Sequence, residues 1–510
     1  MTRTTVLGAA LLAITVIPGS NAWAEEAIPA AVLRAAEEVS GDRLQADMGY
    51  LASDLLEGRG TGTRGYELAA QFVEVQFAAF GLEPGAAPSF MQAVPFRCAL
   101  LREEASSMEL TRAPETPAEP NKIKAPSFVQ SVDYVLHPDL LHASSEISAP
   151  LVFVGYGVAA PDQRHDDFAG VDVRGKVVVE FRGAPPRFPH NERAYYSNTL
   201  VKEQMAAERG AVGVITMLKP SDAARQPWAR TVRQSRLTSC KWTDEKDAPS
   251  NTQATFQLSG HLAPSGAEAI FAGAPVSFAV AAEDAEASRV RSFPLAVGVR
   301  AHRETTHLRR ISPNVIGILR GSDPVHSREA IVVTAHLDHL GISEPVAGDA
   351  INNGAYDNAS GVSMMLEVAR ALSQTAAVAG LRPKRTVIFL AVTGEEKGLQ
   401  GSDFFARNPL PAGAAGLEVV GNVNLDMVLL LRPVTSVIAF GAEHTSLGPQ
   451  LEKAAGLVGL RVVPDPMPEE VIFVRSDQFS FVKQGVPGIF PVSALDDSAE
   501  GRAENARWIV

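Results

Sequence analysis

The 510-residue sequence predicts an α/β fold into which a β-rich segment is set. Two patterns carry that expectation. From about Ser312 onward, short β-branched runs alternate with helical stripes, the order of a sheet whose parallel strands are joined by helices. Between about Ser127 and Ser288, short apolar runs bounded by Gly, Pro and Asp follow one another with few helical stripes. At 46% hydrophobic residues the chain can build a large core, and its length suits two or three domains. A net charge of -12 leaves no basic footprint for phosphate backbones, which sets nucleic acid aside as a partner.

Taken in order, residues 1–24 read as a signal peptide. Arg3 precedes an apolar stretch from Val6 to Ile17, followed by Pro18, Gly19 and an Ala22-Trp23-Ala24 cleavage site before Glu25-Glu26. The stretch is shorter than the ~20 residues a membrane span needs, so the mature chain is expected to be exported, periplasmic or extracellular, with no stable span. Residues 25–126 form the first part and its linker. A helix is expected over Gly65 to Phe80 with Leu68, Phe72, Val75 and Phe80 as its stripe, and Pro114 to Pro126 reads as the linker.

Residues 127–288 form the β-rich insert. Its expected strands are Pro150 to Gly155, Lys176 to Glu180 and Ala211 to Ile215, with a helix over Leu200 to Glu208. Its histidines, His137, His142, His165, His190 and His261, read as surface or loop residues. The two cysteines, Cys98 and Cys240, either pair in the oxidising compartment that export implies or stay as separate buried thiols.

Residues 289–510 carry the α/β pattern. Strands are expected at Ile331 to Ala335, Thr386 to Val392 and Val419 to Leu425, with a helix over Val362 to Leu372. Each strand runs into a candidate ligand, and in open α/β sheets sites gather beyond the carboxyl ends of the strands. His336 offers an imidazole, and Asp338, two residues on, can accept a hydrogen bond from its other nitrogen. Asp357, in the glycine-flanked Gly354 to Gly361 run, can bridge two cations. Glu395 and Glu396 diverge at a strand end, so one can bind metal while the other serves as general base. Asp426 closes the set.

These features together resemble the co-catalytic zinc aminopeptidase family that also includes glutamate carboxypeptidase II, the transferrin receptor ectodomain and glutaminyl cyclases. The likeness rests on Ala335-His336-Leu337-Asp338-His339-Leu340-Gly341, on Gly354 to Gly361, on Gly394-Glu395-Glu396-Lys397-Gly398-Leu399 and on Asn424-Leu425-Asp426-Met427. Upstream, Leu51 to Arg59 with Thr61-Gly62-Thr63 is similar to the amino-terminal segment of secreted members, as is Arg475-Ser476-Asp477 downstream. The insert resembles a protease-associated domain through Gly155-Tyr156-Gly157, Asp166-Asp167-Phe168, Val173 to Val177 and Arg209 to Val214, a module that in relatives flanks the cleft.

The resemblance implies a mixed, mostly parallel sheet flanked by helices, as in zinc exopeptidases. It implies two Zn2+ ions, one held by His336, Asp357 and Asp426, the other by Asp357, Glu396 and a later histidine. Glu395 would be the general base, and a metal-bound hydroxide would attack the scissile carbonyl of peptides with a free amino terminus. The sequence departs from the family in having no histidine after His444, and it carries Gln478 where many members have His. A second zinc position left with two carboxylates, and a carboxy terminus cut short, are therefore expected. The competing reading is a catalytically impaired, peptidase-like binding protein.

Overall fold

In the computed structural model, which describes residues 28, 30–112, 128–223, 226–408, 410–427, 434–465 and 470–494, the β-branched runs of the carboxy-terminal half pair as a parallel sheet. Residues 1–24, read as a signal peptide, and Pro114 to Pro126, read as a linker, lie outside the described residues. The chain divides into two compact units. One takes the described residues of Met1–Pro95, Arg310–Pro468 and Ile472–Ile509, and the other Phe96–Arg309 with the short Glu469–Val471 stretch.

In the first unit, Glu329–His336 is the central strand. Thr386–Val392 and Glu418–Asn424 flank it in parallel, and Gly488–Ser493 continues the parallel set beyond Glu418–Asn424. Ser436–Phe440 runs antiparallel to Gly488–Ser493, and Val315 to Leu319 runs antiparallel to Thr386–Val392, so the sheet is mixed but mostly parallel. Alternation along the buried strands divides the core between two faces. Val387, Phe389 and Ala391 pack with Val333 and Ala335 on one face, and Ile388, Leu390 and Val392 with Val332 and Phe405 on the other. In register, His336 sits opposite Val392 and Thr334 opposite Asn424, so the carboxyl ends of the strands fall level.

The helix Ser360–Ala379 covers one face, burying Val362, Met365, Leu366, Ala369 and Leu372, and ends at Gly380 in the left-handed region at φ 65°. The expected helix after Thr63 is present as Arg64–Ala79, with the Thr63 hydroxyl accepting from Tyr66 N. Its buried face is Tyr66, Ala69, Ala70, Val73 and Phe77, not the expected stripe of Leu68, Phe72, Val75 and Phe80. Small alanines let the helix approach the core closely, while Val75 stays 63% exposed and Leu68, Phe72 and Phe80 pack at the margin.

The strands of the second unit are mixed in direction. Ser144–Phe153, Val177–Phe181, Gly213–Met217 and Leu258–Leu262 run parallel in that order, and Tyr134–Leu136 closes the edge antiparallel. The helix Thr199–Glu208 is capped by Asn198, whose side chain accepts from Leu200 N and Val201 N, and it carries Lys202 into the core to pair with Glu180 at 2.8 Å. Cys98 and Cys240 face each other in the antiparallel ladder of Ser239–Trp242 on Met91–Leu101 and form a disulfide. His137 and His261, expected at the surface, instead turn toward each other, with Nε2 and Nδ1 2.9 Å apart. Nothing in the apolar periodicity marks a half-buried histidine that a second one faces.

Candidate metal centre

The candidate residues come together because the parallel register ends their strands at one level. His336 is the last residue of its strand and 1% exposed, its Nε2 aimed across the sheet end. Asp426 follows Glu418–Asn424 by two residues. Its carboxylate accepts from Ser476 Oγ at 2.6 Å, and Asn424 holds that same hydroxyl by donating Nδ2 to it at 2.6 Å. Asp357 lies on the turn before Ser360–Ala379, where the Asp357–Asn358 peptide is cis. Asn358 fixes this turn against the Asp426 loop, donating Nδ2 to Leu425 O at 2.9 Å and accepting from Gly361 N and Met427 N. Gly361 has no alternative there, because a Cβ would stand 2.1 Å from Leu425 O.

These residues form two groups of potential metal donors that share one member. His336, Asp357 and Asp426 make the first, and His339, Asp357 and Glu396 the second, with the donor atoms of each group within 4.8 Å of one another. In the first, His336 Nε2 lies 3.0 Å from Asp357 Oδ1 and 3.2 Å from Asp426 Oδ1. Two donors on one tetrahedral zinc at ~2.1 Å each stand about 3.4 Å apart, so the group is already close to the spacing a bound ion sets. Asp357 keeps 38% of its side chain open while His336 keeps 1%, which leaves the solvent side free for water or substrate. A carboxylate common to two groups is the arrangement that bridges a pair of cations.

Asp338 does not act as its sequence position suggested. His336 Nδ1 is directed to the backbone carbonyl of Asp338 at 3.0 Å, and the Asp338 carboxylate stands 4.0 Å away. The carbonyl still fixes the tautomer that presents Nε2. The carboxylate is used elsewhere, accepting from Thr61 Oγ1 at 2.8 Å and from Glu395 N at 3.1 Å, so it holds the general-base candidate in place.

Glu395 and Glu396 sit on a single turn that begins at Gly394 in the left-handed region, φ 66°, and Glu396 joins a donor group while Glu395 joins neither. Burial, reinforced by the charges of Asp477, Glu396 and Asp426, pushes Glu395 well above the usual carboxylate range. Burial likewise lifts Asp477 to about 7. Burial disfavours a charged His336, yet Asp426, Glu395 and Asp357 hold its pKa well above the ordinary imidazole value while no cation is present. The site is thus strongly electronegative and suited to cations.

The amino-terminal Leu51 to Thr63 segment contributes more than its resemblance indicated. Arg59 is fully buried and donates to the carbonyls of Leu337, Asn353, Gly354 and Leu51, while its own carbonyl accepts from His339 N. Gln478 is committed to structure, accepting from Asn424 Nδ2 and donating to Phe473 O.

His339 is the residue that sequence reasoning passed over. Its Nδ1 lies 2.6 Å from Glu396 Oε1, within the group that also holds Asp357. The signal was present as a second imidazole three residues after the first. The family resemblance places that histidine after Arg475-Ser476-Asp477 instead, and His444 is not in either group.

Residues 314–508 match the family model described as Peptidase family M28. The chain is similar to a probable zinc metalloprotease of Pyricularia oryzae, 36% identical over 116 residues, which is 22% of this chain and 20% of the relative. It is similar to leucine aminopeptidase 1 of Trichophyton rubrum, 26% identical over 194 residues, 36% of this chain and 51% of the relative. The matches thus span from a fifth to about half the length of these curated relatives. In fold it is similar to the aminopeptidase from Aneurinibacillus sp. strain AM-1, with a TM-score of 0.50 at 19% identity over 90% of this chain and 86% of that one.

Proposed function

From the match of residues 314–508 to the model of peptidase family M28, we propose that this protein is an exported, zinc-dependent aminopeptidase that removes amino-terminal residues from peptides. The observation that carries the reading is the pair of donor groups sharing Asp357, with Glu395 beside them and hydrogen-bonded through its backbone to Asp338. His336, Asp357 and Asp426 would hold one zinc, and Asp357 and Glu396 belong to the position for a second. Bound zinc supplies Lewis-acid polarisation of a carbonyl and a lowered pKa for water.

The protein's own groups do the rest. Glu395 takes the proton from the attacking water and returns it to the departing amine. Asp338 keeps Glu395 in place through Glu395 N, and its carbonyl keeps His336 in the tautomer with Nε2 as donor. The field of clustered carboxylates suits a substrate's α-amino group better than a carboxylate. The nearest cation that is fully buried, Arg59, is engaged by backbone carbonyls and cannot turn to a substrate's carboxy terminus. Leucine aminopeptidase among the relatives supports the same end of the peptide.

Export rests on residues 1–24 and is supported by the Cys98–Cys240 disulfide, which suits an oxidising compartment. No helix among the described residues is long and apolar enough to cross a membrane. The Phe96–Arg309 unit is read as a protease-associated-like module on its sequence likeness. The test is to give folded, zinc-loaded protein a broad peptide panel in free and amino-terminally acetylated forms. Stepwise release from the free forms alone is expected; no release from any free peptide overturns the reading.

A further inference from the structure

His339 Nδ1 and Glu396 Oε1 approach to 2.6 Å, yet they are not aligned for a hydrogen bond, and neither atom has another partner among the described residues. Both atoms are inaccessible to solvent. Two buried polar atoms held in close contact with no hydrogen bond between them carry a cost that an ordinary packing contact would avoid. A cation bound by both atoms would satisfy each of them. Asp357 supplies a third donor within the same 4.8 Å group, and its carboxylate is the one shared with His336 and Asp426.

The ring position is built into the fold. Gly354, at φ 61°, has no Cβ, and an added Cβ would stand 2.6 Å from His339 Cγ and 2.8 Å from Arg59 Nη2. The absent side chain therefore leaves the space in which the imidazole lies. Arg59 fixes both walls, receiving His339 N on its carbonyl at 3.2 Å and donating Nη2 to Gly354 O at 2.8 Å.

We propose that His339 is the imidazole ligand of the second metal position, completing Asp357 and Glu396 to the three protein donors usual for a catalytic zinc. This rests on the zinc-dependent reading of the same site. It replaces a position of two carboxylates and water with one matched in donor type to the first, and it assigns the role to a residue within the His336 segment and not to one that follows Asp477.

The test measures zinc per folded chain by mass spectrometry after dialysis, for the wild type and for His339→Ala, with folding checked by circular dichroism. Two zincs in the wild type, one in the variant, and a second-zinc Kd raised at least about 100-fold are expected. Two zincs of unchanged affinity in His339→Ala, or a single zinc in both proteins, overturns the assignment. Should the variant fail to fold, X-ray absorption on the two-zinc wild type decides: an average of one imidazole per zinc supports His339, and half an imidazole per zinc overturns it. Peptide turnover on the same samples separates the two readings. Two zincs lost to one by the substitution in a protein that cleaves no peptide would sink the peptidase reading alone. Cleavage with His339→Ala still holding two zincs would sink the ligand assignment alone.

Discussion

Arg59 Nη2 donates to the Gly354 carbonyl at 2.8 Å, and through the same guanidinium Nε donates to Leu337 O at 2.9 Å, so one side chain joins the turn before Asp357 to the segment between His336 and Asp338. Burial lowers its pKa to about 10, with Asp338, Asp357 and Glu396 opposing that shift, so it remains a cation at neutral pH. Arg59→Met would leave several buried carbonyls without donors, at about 1–3 kcal/mol for each one left unsatisfied. We expect urea denaturation to show a loss of more than about 3 kcal/mol. Arg59→Lys is expected to recover only part of it, because an ammonium lacks the planar fork that spans the two segments. A loss under about 1 kcal/mol in Arg59→Met would contradict this account.

Glu395 has no donor role in either metal group, yet it sits beside both. Glu395→Gln keeps the shape and removes the basic oxygen, so kcat should fall about 10²–10⁴-fold while zinc content and melting temperature stay within error. A parallel loss of zinc would show that Glu395 is a ligand instead.

The strands were legible because β-branched runs such as Ile331 to Ala335 and Thr386 to Val392 have few alternatives to a buried parallel strand. Three strand runs each leading into a candidate ligand made His336, Glu396 and Asp426 readable as one set, to which the glycine-flanked run added Asp357. Side-chain direction was not legible. His336 Nδ1 found the carbonyl of Asp338 in place of its carboxylate, a choice set by the backbone path after the strand. The roles of His339 and Arg59 depend on Gly354 and on contacts 278 to 295 residues apart in sequence, which no local pattern encodes. The buried face of Arg64–Ala79 was misread because Ala69 and Ala70 lie on it beside Tyr66, Val73 and Phe77, and alanines add little to an apolar stripe.

Cys98 and Cys240 are separated by 142 residues, so their bond restricts a long loop of the unfolded chain. Reduction, or the paired Cys98→Ser and Cys240→Ser variant, is expected to cost about 2–5 kcal/mol and to lower the urea midpoint. The check is denaturation of the paired variant against the oxidised wild type. Coincident curves would mean the bond contributes nothing measurable.

His137 and His261 give the Phe96–Arg309 unit a pH dependence whose sign can be worked out. Burial, with Arg303 facing the ring, lowers His137 to about 4. Burial again, then the charges of His137, Arg182 and Lys202, lowers His261 to about 3. In the unfolded chain both titrate near ~6.5, so between about pH 6.5 and pH 4 the unfolded state binds more protons than the folded one. Stability therefore rises with pH through that window. It is unaffected by the pair above about pH 7 and erodes steadily as pH falls below about 6, as the imidazoles are driven to charge. Replacing both by a group that hydrogen-bonds but does not titrate, His137→Asn with His261→Asn, should flatten the wild-type slope over that range. Carboxylates elsewhere contribute equally to both proteins and cancel in the comparison. The measurement is urea denaturation of each at intervals from pH 4.5 to 8. Parallel stability profiles for the two proteins would show that the pair takes up its protons without loss of the fold.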